Sequence, residues 1–190
     1  TGLHIMPHLT CIGATRESID TLLREYMTEG FENILALRGD YPEGADPGQA
    51  CHDFRHAEDL VRFIREFDHF SIGVAICPEG HPESSSLKED VRMAARKIWA
   101  GADFGITQMF FDNAVYYRFV DACRKAGITV PIIPGLKPIG SKRDLATIPQ
   151  TFHVDFPSEL VELKEGMRMR GRVRNIVPFG AFVDLGVGRD

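Results

Sequence analysis

Hydrophobic positions along this chain follow two patterns in turn. Short runs that are apolar at successive positions, IMPHLTCI, ENILALRG, FSIGVAIC, DFGITQMFF, VPIIPGL and, more weakly, TFHVDF, read as β-strands. Between them, apolar residues recur at helical spacing: Ile19, Leu22, Leu23, Tyr26 and Met27 make one stripe, and Leu87, Val91, Ala94, Ala95 and Ile98 another. Ser86 with Glu89 three residues on predicts a capping box at the start of the second stripe. Strand and helix in alternation predict βα units around a parallel sheet. Near-continuous apolarity predicts strands covered on both faces.

In α/β proteins the reactive residues collect just beyond the carboxyl ends of the strands. His8 lies in the first strand with Thr10 after it. Arg38 and Asp40 end the second, Glu79 and His81 follow the third, Gln108 and Asp112 flank the end of the fourth, and Lys137 follows the fifth. Polar groups from five successive strands converge on one rim more naturally in a barrel than at the single crevice of a doubly wound sheet. Each residue alone also has a plain structural reading: Asp40 as a loop cap, His8 as a satisfied core histidine, Arg38 as the local ion-pair partner of Asp40.

Composition narrows the field. A chain of 190 residues, 44% hydrophobic, suits one main core and a small appendage. A net charge of −5 gives no general attraction to nucleic acid or anionic membrane, and no apolar run has the length of a membrane span. Cys11, Cys51, Cys77 and Cys123 are scattered with no CxxC, which fits reduced thiols in the cytoplasm. There is no GxGxxG after a strand and no GxxxxGK[ST]. Cys51, His52 and His56 lack a fourth ligand at a familiar zinc spacing, so no metal site is expected. The RGD tripeptide at a strand end reads as chance rather than as an adhesion signal. The chain opens on Thr1 directly before a strand and stops after GVGRD, so both ends read as cut.

Seven segments together resemble the methylenetetrahydrofolate reductase family: PHLTC (Pro7–Cys11), ALRGD (Ala36–Asp40), HAEDLV (His56–Val61), PEGHPES (Pro78–Ser84), the helix Asp90–Lys97, ITQMFFD (Ile106–Asp112) and IIPGLKPI (Ile132–Ile139). Their order and spacing match over about residues 3 to 160. The resemblance implies strands three to eight of a (βα)8 barrel, FAD as cofactor, NADH or NADPH as reductant, and reduction of methylenetetrahydrofolate to methyltetrahydrofolate. It implies that Asp40 lies beside flavin and folate, where a carboxylate stabilises the cationic iminium and tunes the flavin. Leu37, Arg38 and Gly39 would line the flavin through their backbone. His8, Ala57, Ala75, His81, Ser84, Asp90, Arg96 and Lys97 match further flavin positions, the last two facing the diphosphate, and Gln108 matches a glutamine that bonds the pterin. His56 and Cys77 are also expected at the flavin, although Cys77, Met93 and His56 stand where an aromatic residue, asparagine and tyrosine are common. The first two family strands have no counterpart, so an open barrel with weak or absent turnover, or a homo-oligomer, is expected of this chain alone.

The remaining stretch, Leu163–Asp190, resembles the start of an S-one-type RNA-binding repeat of OB-fold type. Lys164, Arg168, Arg170, Arg172 and Arg174 make a basic patch, and Phe179 and Phe182 match positions that stack on bases. The expected organisation is a reductase-like partial barrel over 1–162 and a partial RNA-binding repeat over 163–190, with a joining of unrelated pieces as the simplest origin. RNA binding through this segment is the rival function.

Overall fold

The computed structural model describes residues 5–41, 44, 53–161, 172–177 and 180–184. In chain order the elements are β1 (His8–Thr10), α1 (Arg16–Thr28), β2 (Asn33–Leu37), α2 (Ala57–Arg65), β3 (Ser71–Ile76), α3 (Leu87–Trp99), β4 (Phe104–Met109), α4 (Asn113–Lys125), β5 (Ile132–Gly135), α5 (Lys142–Phe152), α6 (Ser158–Val161), β6 (Arg172–Val177) and β7 (Gly180–Asp184). Strands β1 to β5 form one parallel sheet in the order β1-β2-β3-β4-β5. Each strand pairs with the next in sequence, and no reversal of order creates a switch point. Consecutive strands of a barrel have this order, whereas a doubly wound sheet reverses direction at its crevice.

Register divides the sheet into two faces. Leu9, Ile34, Ala36, Ile72, Val74 and Ile132 pack with Ile19, Leu23, Leu60, Val61, Ile64, Val91, Ala94, Ala95 and Phe119 of the helices in one core. His8 is level with Leu35, Leu35 with Gly73, Gly73 with Phe104, and Ile106 with Ile133. Because side chains alternate along a strand, His8, Thr10, Leu35, Leu37, Ala75, Phe104, Ile106 and Gln108 share the opposite face. The helical stripes pack as their spacing predicts, except that Met27 and Leu87 at the stripe ends stay exposed.

At the amino ends of β3 and β4, Arg65 of α2 joins three segments. It donates to the carbonyls of Gly101 and Phe70 and to the Asp103 carboxylate, and Asp103 in turn accepts from Ile72 N at 2.7 Å.

Two expectations need correction. TFHVDF is not a strand: Thr151 and Phe152 end α5, and His153 turns the chain in the left-handed region (φ 54°). The amide of Asp155 then bonds the Glu79 carboxylate at 2.9 Å instead of a neighbouring strand. Among the described residues the parallel sheet therefore has five strands, not six. At α3, Ser86 Oγ accepts from Glu89 N at 3.3 Å, but the Glu89 carboxylate is held by Arg92 at 2.6 Å, so the cap is one-sided.

Strands β6 and β7 pair as an antiparallel hairpin, with Arg172 opposite Asp184. Leu163 to Arg170 and Phe179, with the basic residues among them, lie outside the described residues.

Candidate functional site

The strand β2 ends at Leu37, and the next three residues turn the chain across the rim. Gly39 adopts φ +84°, and a Cβ there would lie 3.1 Å from Thr10 Cβ, so this turn needs a residue with no side chain. Cys11 and Ile12 donate their amides to the Arg38 carbonyl, at 3.1 and 2.9 Å, which ties the turn to the end of β1.

Arg38 does not pair with Asp40. Its guanidinium forms a bidentate bond to Glu83, Nη1–Oε2 2.7 Å and Nη2–Oε1 2.8 Å, and lies over the Tyr41 ring. The hydrogen bond from Arg38 holds the Glu83 carboxyl below the usual glutamate range, and the same bond raises Arg38 further.

Arg38 and Glu83 line a cavity of ≈ 200 Å³ together with His56, Ala57, Cys77, His81, Ser84, Asp90, Met93 and Lys97. Eight of the residues expected to bind cofactor, Arg38, His56, Ala57, Cys77, His81, Ser84, Asp90 and Lys97, thus meet at one site. The α3 helix supplies Asp90, Met93 and Lys97, one turn apart on the face that meets the end of β3. Asp90 is buried and its Oδ1 accepts from His81 N at 3.0 Å, fixing the loop after β3. Lys97 donates to the Ala75 carbonyl at 2.8 Å, and among the described residues no carboxylate lies within ion-pair distance of it. Burial holds its pKa below the ordinary lysine value. Burial likewise raises the Cys77 thiol.

A second cavity, ≈ 380 Å³, shares Cys77 and His81 with the first and is lined by Asp40, Glu79, Gln108 and His153 among others. Gln108 Oε1 accepts from Met109 N at 3.1 Å, which leaves its amide NH2 group to donate. Asp40 is exposed at the rim.

The other expected residues fall nearby or apart. His8, Leu37 and Ala75 lie on the sheet face that carries Gln108, with His8 exposed on β1. Arg96 lines neither cavity; it is held by Glu58 of α2 at 2.5 Å. Lys137 is exposed and faces Asp144 at the start of α5. Asp112 caps α4 and, with Glu79, lines a third cavity of ≈ 770 Å³. Cys51 and His52 lie outside the described residues, and the described ones hold no group of three or more potential metal ligands. No described helix is long and apolar enough to cross a membrane.

Sequence reasoning missed Glu83 and Glu58. Glu58 is 4% exposed, with Oε2 buried and without a hydrogen-bond partner. The available signal was HAEDLV itself: a glutamate next to Ala57, which lines the cavity.

The family description "Methylenetetrahydrofolate reductase" matches residues 1–177. The chain belongs to the methylenetetrahydrofolate reductase family. It is 40% identical over 185 residues to the 5,10-methylenetetrahydrofolate reductase of Salmonella typhimurium and 38% identical to that of Escherichia coli, in each case over 97% of this chain and 61% of the relative. It is 40% identical to methylenetetrahydrofolate reductase 1 of Schizosaccharomyces pombe over 86% of this chain and 29% of that protein. The chain thus spans about three-fifths of the length of these bacterial reductases. Among solved structures it is similar in fold to an uncharacterized protein from Clostridium thermocellum that binds two copies of 5-methyl-5,6,7,8-tetrahydrofolic acid. That likeness has a TM-score of 0.55 at 18% identity, over 80% of this chain and 50% of that one. A putative dihydrodipicolinate synthetase from Pseudomonas aeruginosa is similar at TM-score 0.52 and 17% identity, over 85% and 51%.

Proposed function

We propose that this chain carries the flavin and folate sites of a methylenetetrahydrofolate reductase on a partial (βα)8 barrel. FAD is the cofactor, NADH or NADPH the reductant, and the cytoplasm the compartment. The reading rests on one observation above all. The cavity holding Lys97, a partly buried cation with no carboxylate of the described residues within ion-pair distance, adjoins the cavity lined by Asp40 and Gln108, and Cys77 and His81 line both.

The residues present fit a diphosphate-bearing flavin. A desolvated ammonium with one carbonyl partner gains most from an anion, and Arg38 in the same cavity offers a planar fork for phosphate oxygens. Asp90 orders the loop that carries His81, and His56, Ala57 and Ser84 close the sides. FAD held there would supply the relay of reducing equivalents from the nicotinamide nucleotide to the folate. Asp40 stabilises the positive charge that develops on the folate as its methylene bridge opens, and the Gln108 amide donates to the pterin. A folate substrate is also in keeping with the folate-binding neighbour from Clostridium thermocellum.

The test is FAD binding, followed by flavin absorbance after gel filtration and by fluorescence titration. The wild-type chain takes up FAD, and Lys97→Met weakens binding at least tenfold while the protein stays folded. A folded wild-type chain that takes up no added FAD overturns the cofactor reading.

A further inference from the structure

The cations of the ≈ 200 Å³ cavity are Arg38 and Lys97, and its carboxylates are Glu83, Glu89 and Asp90. Two of those carboxylates have other work: Glu89 holds Arg92, and Asp90 accepts from the His81 amide. Among the described residues Glu83 alone forms an ion pair with a cavity cation, from the loop after β3 to the turn after β2, 45 residues away.

The two partners of that pair differ in their surroundings. The Arg38 side chain is 23% exposed and that of Glu83 59%. Released from the pair, Glu83 returns to water at little cost, whereas Arg38 stays in the cavity and needs another acceptor. Burial disfavours the charge on Lys97 most, and the positive charge of Arg38 adds to this, against the weaker pull of Glu58 and Asp90. An anion between the two cations relieves that repulsion and gives Lys97 a partner within ion-pair distance, which no carboxylate of the described residues supplies.

We propose that Glu83 is an internal substitute for an anionic ligand group. It occupies the Arg38 fork, and a phosphate-bearing ligand binds by exchange, its oxygens taking Arg38 as Glu83 swings to solvent. Glu83 thereby sets the affinity of the cavity for anions. The natural ligand in this inference rests on the flavin reading above; the exchange itself does not.

Calorimetric titration with inorganic pyrophosphate, riboflavin, FMN and FAD tests it on the wild-type chain, Glu83→Gln, Glu83→Ala and, as a control for net charge, Glu25→Gln on the exposed face of α1. With the carboxylate gone, pyrophosphate, FMN and FAD bind about fivefold more tightly, the gain expected from removing a competing, partly exposed ion pair. Riboflavin, which carries no phosphate, is unchanged, and Glu25→Gln behaves as wild type. Unchanged or weaker pyrophosphate binding in both folded Glu83 variants overturns the proposal, as does an equal gain for riboflavin or the absence of pyrophosphate binding in every variant. A gain for pyrophosphate with no binding of any flavin keeps the exchange and removes FAD as its ligand.

Discussion

Replacing Gly39 with alanine probes the turn between Arg38 and Asp40 directly. The backbone there is left-handed, at φ +84°, and holding an L-residue in that region costs about 1 to 2 kcal/mol. The new methyl group would also stand 3.1 Å from Thr10 Cβ. Thr10 sits in β1, hydrogen-bonded to β2, so relieving the contact shifts one strand end and adds about 1 kcal/mol. Together these give a loss of about 2 to 3 kcal/mol, which for a chain of this size lowers Tm by about 4 to 12 °C. Thermal and urea unfolding of Gly39→Ala, Thr10→Gly and the double variant separate the two parts. In the Thr10→Gly background the contact is gone, and Gly39→Ala should cost about 1 kcal/mol less. Equal costs in both backgrounds would refute the steric part, and a Gly39→Ala protein as stable as wild type would refute the whole argument.

Arg65→Met removes the donor shared by Gly101, Phe70 and Asp103 and should cost about 2 to 3 kcal/mol in urea unfolding, since the Gly101 carbonyl loses its side-chain partner. Burial raises the Glu79 pKa above its ordinary value of 4.5, so the folded state takes up its proton more readily than the unfolded one. That part of stability is full below pH 4.5 and lost as pH rises through the folded pKa. Glu79→Gln therefore raises Tm slightly at pH 7, a small effect because the side chain is partly exposed, and the gain should vanish below pH 4.5 in calorimetric scans. Asp40→Asn, assayed in a full-length family protein carrying this segment, should lower folate turnover by at least about a hundredfold while FAD binding persists; undiminished turnover would remove Asp40 from the mechanism. For the rival reading, single-stranded RNA should bind weakly and fade as salt rises, and submicromolar binding at high salt that is lost on Phe182→Ala would establish an RNA-binding module instead.

What the sequence made legible were the local signals. Runs such as ENILALRG end in a glycine and a charge at the point where the strand ends, so the rim residues could be named from order alone. The partners of those residues were not legible. Arg38 beside Asp40 suggests a local pair, but a planar fork at a strand end reaches across the rim more easily than back along its own turn, and Glu83 is 45 residues away. Glu58 reads as a first-turn acid on a solvated helix face; only the packing of α2 against α3 buries it and sets it against Arg96. TFHVDF misleads because alternating apolar residues mimic a strand while α5 in fact runs on through Pro149 to Phe152.

The strictly sequential pairing of β1 to β5 also bears on how the chain acquires its structure. Among the described elements each strand of the sheet pairs with the next one along the chain, so each pairing closes a loop of modest length, and none of these five waits for a distant segment. A polypeptide leaving the ribosome could add one βα unit at a time to a growing edge, with the newest strand as the template for the next. The reaction rim would then assemble in the same order: the Gly39 turn locks when β1 and β2 pair, and the Arg38 to Glu83 contact forms only after β3 has docked.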